Sequence, residues 1–178
     1  MMLRRLFPLV VLSIAAPTMA SPAPVQDAAT DPKCATVRPA FPAGFGGWST
    51  RAPLAAGRAP RNAPVLAVGR GVDLSLHPLA QVQPVAAWGR EAAADSSAGL
   101  AMFQVARAGT YRVALGNAAW IDVVRAGRSL PSSAHGHGPA CTGIRKIVDF
   151  RLTPGRYVLQ LSGSAAAALP VLIARSEA

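Results

Sequence analysis

The sequence predicts an all-β protein: a jelly-roll-like antiparallel β-sandwich of about eight to nine strands, preceded by an irregular N-terminal segment. Three observations carry this. Short apolar runs recur from Val65 onward at intervals of roughly eight to twelve residues, with Gly, Pro and Asn between them. Several of these runs alternate apolar and polar residues, the period-two pattern of a strand with one buried face. The alanine-rich pieces at 92–94 and 165–168 favour helix by propensity, but they are too short to nucleate one in water.

Taken in order, 65–68 is a short strand candidate, and Val72-Asp73-Leu74-Ser75-Leu76 alternates cleanly. Pro78 and Pro84 bracket a loop or edge segment, and 91–98 reads as one helical turn or a loop. Residues 100–105 alternate again, with Phe103 and Val105 on the face opposite Met102 and Gln104. Residues 110–115 set Tyr111, Val113 and Leu115 on one face, and 120–124 is strongly β-prone. The runs at 144–152, 157–161 and 169–174 complete a domain placed at 65–178.

Upstream, residues 34–64 carry Pro39, Pro42, Pro53, Pro60 and Pro64. No helix persists through that spacing, because each proline removes an amide donor and clashes with the preceding turn. Phe41, Phe45 and Trp48 supply apolar anchors, so this stretch is expected to lie ordered but irregular on the domain.

The strand region echoes itself. Phe103-Gln104-Val105 leads to Ala108-Gly109-Thr110-Tyr111, and Phe150-Arg151-Leu152 leads to Pro154-Gly155-Arg156-Tyr157. Each unit is a strand, a turn with glycine, and a strand opening on tyrosine, although the two spacings differ by one residue. A tyrosine after such a corner can bury its ring and return its hydroxyl to a nearby backbone group. With Ile121-Asp122-Val123 between the two units, the stretch 100–175 resembles the bacterial pre-peptidase C-terminal domain. The resemblance implies a secreted jelly-roll-like sandwich with an accessory role in secretion or attachment.

The N-terminus has the form of a secretory signal peptide at 1–20: Arg4 and Arg5, an apolar run at 6–16, then Pro17 and Thr18-Met19-Ala20 before a cleavage point. A flexible leader at 21–33 follows. The expected address is periplasmic or extracellular, and no later stretch is long and apolar enough to span a bilayer. The formal charge is +10, with 18 basic residues set singly or in pairs and few aromatics. Nucleic-acid binding usually needs a clustered basic face, so an envelope glycan or another anionic surface component is the better candidate partner. Cys34 and Cys141 are expected to pair in an oxidising compartment, free thiols or metal ligation being the alternatives.

One segment departs from the plain sandwich pattern: Ser132-Ser133-Ala134-His135-Gly136-His137-Gly138-Pro139-Ala140-Cys141. On an extended chain the i, i+2 spacing puts His135 and His137 on one face, where they can share zinc, copper or iron with a third ligand. His77, Asp122, Asp149 and a reduced Cys141 are the candidates for it. The His-x-His pattern is similar to the first metal motif of cupins, the β-barrel family that includes homogentisate dioxygenase. That similarity implies a metal-dependent dioxygenase, but no acid follows within 138–143 where a cupin places glutamate. The plain alternative is a solvated loop held by Cys141. Trp48 and Trp88 are candidates for a sugar-stacking platform, whereas Trp120, inside an apolar run, reads as core.

No Gly-x-Ser-x-Gly elbow, no evident carboxylate pair and no phosphate-binding glycine loop is present. The expected function is therefore a non-enzymatic secreted binding or accessory domain, with a metal-binding or cupin-like protein centred on His135 and His137 as the alternative.

Overall fold

The computed structural model describes residues 32–176. The expected signal peptide at 1–20 lies outside the described residues, as does the leader up to residue 31. The chain is an all-β sandwich of two six-stranded sheets. The first sheet has the order β1 (Ala52–Ala55), β3 (Gly71–Ser75), β12 (Ala168–Arg175), β6 (Gly109–Leu115), β10 (Lys146–Leu152), β9 (Ala134–Gly136). The second runs β2 (Val65–Leu66), β5 (Ser97–Val105), β11 (Gly155–Ser164), β7 (Trp120–Arg125), β8 (Arg128–Ser129), with β4 (His77–Pro78) also on β5.

Two features differ from expectation. The strands number twelve among the described residues, because four short edge strands, β1, β4, β8 and β9, join those the alternation reveals. The sheets are also mixed, since β1 pairs parallel with β3 and β2 parallel with β5. Parallel neighbours need a crossover of about a dozen residues or more, and the proline-rich connection from Ala55 to Gly71 supplies one.

The sequence echo becomes a pseudo-two-fold arrangement. Strands β5, β6 and β7 lie in the second, first and second sheet, and β10, β11 and β12 in the first, second and first. Exchanging the two triplets maps β5 beside β11 onto β10 beside β6, and β11 beside β7 onto β6 beside β12. Both tyrosines make the expected corner bond: Tyr111 Oη donates to Arg107 O at 3.0 Å and Tyr157 Oη to Thr153 O at 2.7 Å. Each corner glycine, Gly109 at φ +157° and Gly155 at φ +149°, abuts an arginine from a neighbouring strand. Arg175 Nη2 donates to Ala108 O, and Arg125 Nη2 to Pro154 O.

The inner faces pack Phe103, Val105, Tyr111, Val113, Phe150, Leu159 and Ile173 into one buried core. Full burial of a large apolar side chain contributes roughly 1.5–3 kcal/mol, so this layer is the main source of stability. Both outer faces are covered as well. Phe45 and Trp48 pack on Ala114, Leu172 and Ala174 of the first sheet. Val82, Val85 and Trp88 pack with Leu100 and Val158 of the second. Gln160, fully buried, clamps that second cover: its Oε1 accepts from Val85 N and Ala86 N, and its Nε2 donates to Ala86 O at 3.2 Å. The stretch at 34–64 is thus not wholly irregular: it lays Phe45 and Trp48 on the first sheet, adds β1 to that sheet's edge, and is pinned at its start by the Cys34–Cys141 disulfide with a Cα–Cα distance of 5.3 Å.

Candidate functional site

At the edge where β9 and β10 face β7, the two sheets part and leave a cleft. In the first sheet, Lys146 has the same strand parity as the inward-facing Val148 and Phe150. It falls at the very start of β10, where the core ends, so its stem enters the sandwich and its amine reaches the mouth. In the second sheet Trp120 opens β7. The two meet there: Lys146 Nζ lies over the Trp120 ring at 5.4 Å and donates to Ala119 O at 3.3 Å. Burial first, and then the charge of Arg90, hold the Lys146 amine below its usual value.

Around this pair is a cavity of about 730 Å³ whose charged walls are Arg90, Arg145, Lys146 and Glu91. Three cations against one acid make it an anion-attracting site. None of those three cations belongs to either ion pair among the described residues, which are Arg51–Asp73 and Arg112–Asp149. A second cavity of about 530 Å³ adjoins it through Ala118, His137 and Arg145. A third, about 570 Å³, adjoins it through Trp120, His135 and Lys146 and reaches inward to Val148 and Phe150.

His135 and His137 line the wall of the same cavity. His135 lies in β9 opposite Val148, His137 follows the strand, and both are exposed and line the central cavity. His137 Nδ1 lies 3.2 Å from Arg145 O. The third ligands named from sequence are engaged elsewhere. His77 sits on β4 with Nε2 2.9 Å from Ala56 O. The buried Asp122 carboxylate accepts from Gly89 N at 3.0 Å and Trp120 Nε1 at 3.1 Å. Asp149 faces Arg112, with Nε and Oδ2 3.7 Å apart, and Cys141 is bound to Cys34. Among the described residues no three His, Cys, Asp or Glu side chains form a group able to hold a metal ion. A stable zinc or non-haem iron site takes at least three protein ligands, so this donor set does not fit one.

The expectations for Trp48 and Trp120 are corrected. Trp48 is 2% exposed, its Nε1 donates to Thr142 O at 2.9 Å, and Arg51 covers its ring at 5.1 Å. It offers no face to a sugar, because the apolar cover of the first sheet has absorbed it. Trp88 is half-buried against the cover of the second sheet. Trp120, expected in the core, instead lines two of the three cavities. Sequence reasoning missed Trp120, Lys146, Arg145 and Arg90 as site residues. One signal was present: a lysine at inward parity at the end of a strand must stand at the sandwich mouth, since it cannot be buried unpaired.

Among the described residues no hydrogen bond joins either histidine to a serine: Ser133 Oγ donates to Asp149 O at 3.3 Å, and His137 Nδ1 lies 3.2 Å from Arg145 O. Comparison with protein-family models and with curated proteins gives no match. Function is therefore read from the chemistry of the cleft.

Proposed function

We propose that this chain is a secreted, non-enzymatic binding domain for an anionic envelope component, in the first place an acidic polysaccharide. The observation that carries the reading is the Trp120–Lys146 pair at the cleft mouth, flanked by Arg90 and Arg145. An acidic sugar needs an apolar surface for its ring and cations for its carboxylate; Trp120, half-buried with the Lys146 amine over one face of its ring, contributes to the first, and Arg90, Arg145 and Lys146 supply the second. The disulfide is compatible with an oxidising compartment, and no helix among the described residues is long and apolar enough to cross a membrane. The export pattern at 1–20 and the likeness to pre-peptidase C-terminal domains support the same accessory role.

The test is calorimetric titration with galacturonate oligomers and with neutral cello-oligosaccharides of equal length. The acidic series should bind, the neutral series should bind much more weakly, and Arg145→Ala with Lys146→Ala together should lower acidic affinity about tenfold or more. Equal affinity for acidic and neutral sugars, or an unchanged double variant, overturns the proposal.

A further inference from the structure

We infer that the anionic ligand of this cleft is amphiphilic: an acidic sugar bearing an alkyl or acyl chain, with its acid in the central cavity and its chain in the third. The inference rests on the reading above and adds the chain. The cations converge on one place. Arg90, Arg145 and Lys146 all line the central cavity, against the single acid Glu91. Arg145 and Lys146 are adjacent in the chain, and Arg90 is near enough for its charge to act on the Lys146 amine. Such a cluster suits one anionic group.

The third cavity, about 570 Å³, has a different character. Its inner wall is Ile121, Val148 and Phe150, all buried side chains of the sandwich core. Leu130, half-buried against the same core, forms another side. The carboxylate on its wall, that of Asp122, is already engaged by Gly89 N and Trp120 Nε1. The volume falls within the ordinary range for a small-molecule site.

The strand pattern explains why a hollow is left at this edge. In β9, His135 stands opposite the inward-facing Val148, whereas Ala134 and Gly136 stand opposite Asp149 and Ile147 on the other face. On the second sheet β8 is two residues long, and Leu130 follows it, its amide donating to Val123 O at 2.8 Å. One imidazole and one leucine thus close the inner layer where a wider sandwich would set a further row of core side chains. Protein interiors pack about as densely as organic crystals, so a hollow opening onto the core leaves apolar contacts that a ligand chain can supply.

Lys146 joins the two environments, for it lines both cavities. Its stem has the inward parity of Val148, and its amine lies over the Trp120 ring at 5.4 Å. An acid held at that amine sets a substituent at the opening of the third cavity. The neighbouring cavities suit the chain less well. In the second, Ile144 is the one large aliphatic side chain on the wall, and a fourth, about 300 Å³, holds the Arg112–Asp149 ion pair.

The probes are methyl, butyl and hexyl β-glucuronides, with hexyl β-glucoside as the neutral control. Each is titrated calorimetrically, below its micellar concentration, into the disulfide-bonded protein at fixed ionic strength. Affinity should rise about tenfold or more from the methyl to the hexyl glucuronide, since each buried methylene favours binding severalfold. The hexyl glucoside should bind about tenfold or more weakly than the hexyl glucuronide. Leu130 lines the third cavity and not the central one. Leu130→Trp, which sets a larger ring there, should remove most of the gain with chain length and leave methyl glucuronide affinity unchanged. Far-ultraviolet circular dichroism checks that the variant folds, and the wild-type series is a complete test without it.

Affinity that does not depend on chain length, with glucuronide still preferred over glucoside, overturns the chain site and leaves the acidic-sugar reading standing. A folded Leu130→Trp protein that keeps the full gain also overturns it. Equal affinity for hexyl glucoside and hexyl glucuronide overturns the requirement for an acid, and with it both readings. Binding of galacturonate oligomers without binding of any alkyl glucuronide overturns this inference alone, and binding of neither overturns both.

Discussion

Phe103 in β5 stands directly opposite Tyr157 in β11, their ring centroids 5.5 Å apart and their planes 22° from parallel. The pseudo-two-fold arrangement repeats the pairing in the other sheet, where Phe150 stands opposite Tyr111. Each tyrosine thus lies against the phenylalanine that opens the other repeat, and in each repeat the chain changes sheet at its tyrosine corner. The two halves cannot pack independently.

The two corners are not equally bonded, and this predicts unequal costs. Tyr157 Oη donates to Thr153 O and accepts from Thr153 N at 3.2 Å and Arg125 Nη1 at 3.0 Å. Tyr111 Oη donates to Arg107 O alone among the described hydrogen bonds. Tyr157→Phe should destabilise by about 2–3 kcal/mol, because it also strips a bond from a charged donor, and Tyr111→Phe by about 1 kcal/mol. Urea unfolding of the two variants, with unchanged m-values, measures the difference; equal costs would contradict it.

Gln160 should be among the most sensitive polar positions. Its three bonds hold 85–86 over the second sheet, and Gln160→Leu leaves Val85 N and Ala86 N without their acceptor. The expected loss is about 2–6 kcal/mol, at about 1–3 kcal/mol for each of the two amides left unsatisfied. Hydrogen exchange should show protection falling at the Val85 and Ala86 amides before it falls in β11. Unaltered exchange at both amides would show that the cover is held by its apolar contacts instead.

Lys146 predicts a pH dependence with a definite sign. Its amine is held below the usual lysine value in the folded protein, by burial and then by Arg90. Between the folded and unfolded values the unfolded chain binds more protons, so stability rises with pH through that window. The unfavourable contribution of the charged amine is fully present below the folded value and is relieved above it. Wild-type protein should therefore gain stability relative to Lys146→Met as the pH is raised from neutral into the alkaline range. Affinity for acidic sugars should fall over the same interval, starting at a lower pH than an ordinary lysine would dictate. Denaturation curves and titrations at matched pH values check both, and parallel wild-type and variant curves would refute the first.

The disulfide spans 107 residues. In the chain-entropy model a loop of that size contributes up to about 4–5 kcal/mol. Cys34→Ser with Cys141→Ser should lower the unfolding midpoint accordingly. The cover should stay docked in the native state through Phe45, Trp48 and Ile144. Comparing midpoints and native tryptophan fluorescence for the oxidised protein and the double variant tests this; an unchanged midpoint would mean the bridge adds nothing to stability.

Much of the architecture was legible in the sequence. Strands β3, β5, β6, β7, β10, β11 and β12 announce themselves because one face of each enters the core, and burial imposes the alternation. The tyrosine corners were legible because glycine turns and tyrosines recur at nearly equal spacing. Strands β1, β4, β8 and β9 were not, being two to four residues long and paired at sheet edges. Ala134–Gly136 becomes a strand because β10 offers it free backbone groups, not because its side chains favour one. Trp48 and Trp120 were misassigned for a related reason. Local sequence tells how apolar a neighbourhood is, but not whether another segment will cover it, and Phe45 with Trp48 proved to be the cover.

By itself, then, the sequence determined the fold class, the two corners and the cysteine pair. Each depends on residues near one another in the chain or on composition: strand period, turn chemistry and cysteine count. The tertiary structure decided what the histidines stand beside. Trp120 and Lys146 belong to different sheets and meet only because β7 and β10 face each other at the sandwich edge. A cleft is a property of surfaces that two sheets leave uncovered, and no local pattern encodes it.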